Sequence, residues 1–156
     1  MDISVRRLGE GDEAVACDVA RSFKNAVIGT ELAPSILANP ANYLVVAEAD
    51  REIAGFLLAY RLDRIDRPTG QLFIYDVAVD PGHQRRGVGK ALMGFATAVV
   101  ESEGLMEAFV FTNRDNAAAV ALYQRTGAHA EDGDGMVFVY QGNAAPPVPA
   151  ARASLQ

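Results

Sequence analysis

One cysteine, Cys17, two histidines and no apolar stretch of membrane-spanning length are what these 156 residues offer where many proteins are richer. A lone cysteine excludes a disulfide framework and a cysteine-based metal site, and it favours a reducing, cytoplasmic setting. His83 and His129 have no partners at metal-ligand spacing, so surface or packing roles are expected for both and no metal is expected at all. Nowhere do about 18 apolar residues stand together as a helical span requires. The opening Met-Asp-Ile-Ser-Val-Arg-Arg has no apolar run behind its basic pair, so neither export nor membrane insertion is expected. Bases are the minority, 14 against 20 acids for a net charge of −6. That balance disfavours nucleic acid and anionic membranes as partners and favours a small cationic molecule. No internal repeat is visible.

What is present suffices for one core, since half of the residues are hydrophobic and the length is that of a single ordinary domain. A domain over residues 1–141 is expected, followed by a Pro/Ala-rich tail, 142–156, that reads as disordered. Apolar alternation in Ile3, Val5 and Leu8 predicts a first strand. Val15, Val19 and Phe23 at four-residue intervals predict a helix over 12–25 capped by Asp12. Residues 28–42, with Pro34 and Pro40, read as a turn of helix between loops, either a substrate lid or a plain connector. Residues 43–49 and 52–62 read as a hairpin about Asp50-Arg51. In a strand over 71–79, strict alternation puts Leu72, Ile74, Asp76 and Ala78 on one face, making Asp76 a carboxylate in apolar company. A helix over 87–102, a strand over 107–112, a helix over 117–125 and a hairpin over 129–140 complete a mixed α/β domain with at least one β–α–β crossover.

Residues 74–90 move from a β-branched strand through Pro81-Gly82 into a basic, glycine-punctuated loop that opens a helix. Such an arrangement holds an anion on backbone N–H groups. A Walker loop is excluded because Val88 and Gly89, rather than Lys and Ser or Thr, follow Gly87. A dinucleotide fingerprint is excluded because Leu92 stands where its third glycine belongs.

Val77-Ala78-Val79-Asp80-Pro81 with Gln84-Arg85-Arg86-Gly87-Val88-Gly89-Lys90, followed by Asn116-Ala-Ala-Ala-Val-Ala-Leu-Tyr123, resembles the two core motifs of the GNAT N-acetyltransferases. The likeness runs from about residue 3 to 140. It implies a central, mostly antiparallel sheet of about six or seven strands flanked by helices, with acetyl-CoA as cosubstrate. Residue by residue, it places the pantetheine arm against the backbone of Val77, Ala78 and Val79. The pyrophosphate falls on the N–H groups of Arg85, Arg86, Gly87, Val88, Gly89 and Lys90, and Asn116 touches the arm. Tyr123 matches the tyrosine that protonates the leaving thiolate, a role suited to a phenol with a pKa near ~10. The implied reaction is direct attack of a neutral amine on the thioester, with a strand N–H polarising the carbonyl oxygen. A carboxylate must receive the amine's proton or hold the incoming ammonium. Asp76 is the candidate, the alternative being a buried acid paired with Arg61 or Arg64. A bulge in the strand can turn it to either face.

Within the family, Ile74-Tyr75-Asp76-Val77-Ala78-Val79, the Arg-Arg pair and Ala119-Val120-Ala121-Leu122-Tyr123 are most similar to the class I aminoglycoside 3-N-acetyltransferases, the gentamicin acetyltransferases. An aminoglycoside is a polycation that the acidic balance and the Glu131-Asp132-Gly133-Asp134 turn would help to capture. The sequence departs from that class at Asn113-Arg114-Asp115-Asn116-Ala117. The ribosomal-protein alanine N-acetyltransferases are similar through the Asn116 segment but place a glutamate where this chain has Phe111. A non-catalytic acetyl-CoA-binding module is the reading from outside enzymology. Pairing into a homodimer through C-terminal strands is a family habit the resemblance also implies.

Overall fold

The computed structural model describes residues 2–28, 31–131, 133 and 136–142. Its elements run β1 (Ile3–Arg7), α1 (Glu13–Lys24), α2 (Leu32–Ala38), β2 (Asn42–Ala49), β3 (Glu52–Leu62), β4 (Gln71–Val79), a 3-10 turn (Pro81–His83), α3 (Val88–Ser102), β5 (Ala108–Val110) and α4 (Ala117–Arg125). The sheet order is β1-β2-β3-β4-β5, antiparallel through β4, with β5 parallel to β4. Only the parallel step needs a crossover, and α3 provides it. The mixed, mostly antiparallel architecture is the expected one.

Among the described residues five strands stand in place of six or seven. The expected hairpin over 129–140 has no strand among its described residues, and Met136, Val137, Phe138, Val139 and Tyr140 are exposed. Asp132 and Asp134 of the acidic turn lie outside the described residues, as do residues 143–156 of the expected tail. β5 is also shorter than expected, ending at Val110 and leaving Phe111 exposed.

Both sheet faces are covered, which explains why β2 is apolar without alternation. Tyr43, Val45 and Ala47 join Leu57, Leu72, Leu92 and Tyr123 in the core under α3 and α4. Leu44 and Val46 join Ala16, Val19, Ala33 and Phe56 in the core under α1 and α2. The β2–β3 hairpin turns at Asp50 and Arg51, both with positive φ (54° and 67°), the pattern of a type I′ turn whose twist matches the strands.

Asp12 holds the N-cap position of α1, but its side chain makes no cap bond. It accepts instead from the Gly9 N–H at 2.9 Å and from Arg6 Nη1 at 2.9 and 3.0 Å. The Gly9 bond, then the Arg6 guanidinium, hold its carboxyl below the usual carboxylate range. α2 carries Pro34 in its first turn, where the missing N–H costs little. Its Ala33 is fully buried, so the described part of the 28–42 segment is seated on the sheet.

Candidate active site

β4 does not alternate strictly. Its register against β3 pairs Ala59 with Ile74 and Leu58 with Asp76, so Tyr75 is an extra residue in the ladder. A bulge reverses the order of faces beyond it. Leu72, Ile74 and Val77 lie in the α3/α4 core, whereas Ala78 packs in the core under α1 and α2. Asp76, opposite Leu58 of that second core, is carried to the α1 side, away from Leu72 and Ile74, whose face it was expected to share. There it is 8% exposed, and it is the buried charged side chain of the described core.

Neither Arg61 nor Arg64 meets Asp76. Arg61 pairs with Asp63 and Glu103, and Arg64 with Asp66. The partner is Lys24, whose Nζ donates to Asp76 Oδ2 from the last turn of α1. Phe23 sets that turn over the sheet by packing on Phe56, ring centroids 5.2 Å apart. Nothing in the sequence joins positions 24 and 76 except the helical stripe, which seats Phe23 and places its neighbour at the sheet.

Tyr123 comes from α4 and is buried in the α3/α4 core. Burial first, and the negative charge of Asp76 second, push its phenol up to about 12. The same charge adds to burial and to Tyr75 in raising Tyr60.

β5 pairs with β4 only through Leu72, Phe73 and Ile74. Beyond Ile74 the β5-side edge of β4, which includes Val77, Ala78 and Val79, has no strand partner among the described residues. An amide-bearing chain can bond to such an edge. Where β5 still pairs with β4, Phe73 stacks on Phe109 at 5.0 Å and meets Tyr75 and Phe111 edge-on. Tyr75 also meets Tyr60 at 5.7 Å, while Tyr75 and Phe111 stay largely exposed.

The chain leaves β4 through Asp80, whose Oδ1 accepts from the Gly82 N–H at 2.9 Å and lies 3.1 Å from His83 Nδ1. Arg85 (φ 59°) and Gly87 (φ 94°) then adopt left-handed backbone. Gly87 is the N-cap of α3 and supplies no side-chain cap, and the first bond into the helix from this loop is Ala91 N–H to the Gly87 carbonyl at 2.9 Å. The N–H groups of Val88, Gly89 and Lys90 thus form an uncapped helix start beside exposed Arg85, Arg86 and Lys90, which suits a diphosphate. Asn116 caps α4, accepting from the Ala119 N–H at 3.2 Å, and its amide NH2 has no bond among the described residues.

Gly89 has a second constraint. A Cβ there would lie 3.2 Å from both methyls of Leu122, so the missing side chain lets α4 approach α3. Gly89→Val is expected to destabilise the fold by ~1–3 kcal/mol through overpacking. In urea unfolding, the cost should shrink when Leu122→Ala is also present, and a double-mutant cycle without coupling would refute the contact.

Residues 14–128 match the family model described as Acetyltransferase (GNAT) family. The chain belongs to the GNAT acetyltransferases. It superimposes with a TM-score of 0.82 on an aminoglycoside acetyltransferase from an uncultured soil metagenomic sample crystallised with trehalose, at 25% identity over 90% of this chain and 97% of that one. A mycothiol acetyltransferase of Clavibacter michiganensis is 34% identical over 87 residues, 56% of this GNAT chain but 26% of the relative. The chain thus spans about a quarter of that relative's length. The ribosomal protein bS18-alanine N-acetyltransferase of Escherichia coli K12 is 37% identical over 54 residues, 35% of this chain and 36% of that protein. No described helix of this GNAT chain is long and apolar enough to cross a membrane, and no described cluster of His, Cys, Asp and Glu is suited to a metal ion.

Proposed function

We propose that this GNAT chain is an acetyl-CoA-dependent N-acetyltransferase that acylates an amine of an aminoglycoside by direct attack in a ternary complex, and so confers resistance to such antibiotics. Asp76 carries the reading. A strand bulge turns this carboxylate onto the face away from α3, in the stretch of β4 whose β5-side edge has no strand partner among the described residues.

Acetyl-CoA supplies the activated thioester. The uncapped start of α3, with Arg85, Arg86 and Lys90, would hold its diphosphate. Val77, Ala78 and Val79 would hold its amide-bearing arm along the open edge of β4, with Asn116 as a further donor. Asp76 attracts the acceptor ammonium and takes its proton, leaving a neutral nucleophile. The bulge interrupts the β3–β4 ladder at Tyr75, and a β4 backbone N–H would polarise the carbonyl oxygen. Tyr123 stays protonated far above neutral pH and is the proton donor to the departing sulfur.

For the acceptor, the soil aminoglycoside acetyltransferase matches nearly the full length of both chains. The Tyr60, Tyr75 and Phe111 rings offer a face to a bulky cation beside Asp76. The likeness of residues 74–79 to the gentamicin acetyltransferases favours the 3-amino group. The peptide alternative keeps the Asn116 segment in its favour and lacks a carboxylate at Phe111.

CoA thiol release across gentamicin, sisomicin and a peptide beginning with alanine, with mass spectrometry of the product, tests the proposal. Release with the aminoglycosides is expected. Release with the peptide alone would favour the ribosomal-protein reading. Acetyl-CoA binding by calorimetry with no release from any amine would favour a binding module.

A further inference from the structure

Lys24 is a primary amine in contact with the carboxylate to which the acceptor amine is assigned. Its side chain is 40% exposed, whereas that of Asp76 is 7% exposed, so the ammonium reaches in from an accessible position and the carboxylate is reached through few directions. It also sits in the last turn of α1, where Asn25 ends the helix in left-handed backbone. Among the 156 residues lysine occurs only at 24 and 90. Lys90, in the first turn of α3, is exposed and belongs to the helix start rather than to the Asp76 face.

We infer that Lys24 Nζ holds the position of the acceptor amine and is itself acetylated by the chain's own site when no other amine is present. This rests on the proposed reading of Asp76 as the group that meets the acceptor. The step balances without an added reagent. The Lys24 ammonium gives a proton to Asp76, and the freed lone pair attacks the thioester carbonyl carbon. The carbonyl–sulfur bond breaks, CoA leaves as a thiolate that takes its proton from Tyr123, the nitrogen's second proton replaces the one Tyr123 gave, and the proton on Asp76 passes to water. An amide forms at Nζ, and the side chain loses its charge.

Two consequences separate this from a merely structural ion pair. An incoming ammonium must compete with Lys24 for Asp76, so Lys24 is an internal rival of any cationic acceptor. Acetylation ends the rivalry, because an amide has no charge to offer a carboxylate. The buried carboxylate is then left to cations from solution.

The test uses the full chain with acetyl-CoA alone, peptide mapping by mass spectrometry for the two lysines, and calorimetry for acetyl-CoA binding. Lys24 is expected to reach near-stoichiometric acetylation while Lys90 stays at least tenfold lower. Lys24→Arg, which keeps a cation for Asp76 but offers no nucleophilic amine, should show no mass increase at that peptide. Asp76→Asn should slow Lys24 acetylation by about 100-fold with acetyl-CoA binding retained. Binding of acetyl-CoA with Lys24 unmodified, or with both lysines acetylated equally, overturns the inference and leaves the cofactor reading standing. Absence of acetyl-CoA binding overturns both.

Discussion

Asp76→Asn is expected to lower kcat/KM toward the accepted amine by about 100- to 10,000-fold, the range for loss of a positioned general base. The substitution keeps the shape of the side chain and removes both its charge and its proton affinity. Acetyl-CoA affinity should change little, because the helix start and the β4 edge assigned to it are separate from the carboxylate. The fold should survive. Lys24 loses its partner, but with its side chain 40% exposed it can turn its ammonium to water, unlike a charge sealed in a core. Steady-state kinetics beside calorimetric acetyl-CoA binding checks the result. Lys24→Met supplies the control, since it removes the ion pair and keeps the carboxylate. If Lys24→Met and Asp76→Asn lose activity equally, the pair serves to orient α1 and Asp76 has no chemical role. Retained activity in Lys24→Met with loss in Asp76→Asn identifies the carboxylate as the working group.

Asp76 lies at the boundary between what is legible in this sequence and what is not. Periodicity located α1 and α3 because each has one apolar stripe against the sheet, and capping residues with Gly127 located α4. The Asp50-Arg51 hairpin was found from polar residues between two apolar runs, although the type I′ turn is made here without glycine. The face of Asp76 could not be read. A bulge at Tyr75 is a property of the β3–β4 register, which forms between strands, and one extra residue reverses every side chain beyond it. Its partner was equally hidden. Arg61 and Arg64 are nearer in the chain, yet local acids at 63 and 66 engage them, whereas Lys24 arrives from 52 residues away. The loop from Gln84 to Lys90 was read as an anion site from its glycines, and the structure gives one of those glycines a packing partner as well. The 129–140 segment was read as a hairpin from its Asp-Gly-Asp-Gly turn, but a turn sequence supplies strands only when an edge receives them, and Met136 to Tyr140 are exposed.

Tyr123→Phe is expected to lower kcat by about 100-fold with acetyl-CoA affinity nearly unchanged, as loss of a proton donor to the departing thiolate predicts. A phenol pushed up to about 12 by burial and by Asp76 is a weaker acid than a free tyrosine. It is also fully protonated wherever the enzyme works, so the donor form is never scarce. Its activity contribution should therefore show no alkaline decline until the pH approaches that value. The same shift has a consequence for the fold that does not depend on turnover. The folded chain resists ionising Tyr123, while the unfolded chain ionises it near the ordinary ~10. The stability from the protonated phenol is thus complete below about pH 10 and is lost as the pH rises through about 12. Wild type should lose stability over that interval more steeply than Tyr123→Phe, which has no proton to lose. Phenolate absorbance gives the direct check, because the substitution should delete the transition near 12 among the 5 tyrosines. If the deleted transition lies near 10, Tyr123 is neither buried as described nor in the field of Asp76, and the account of its raised pKa fails.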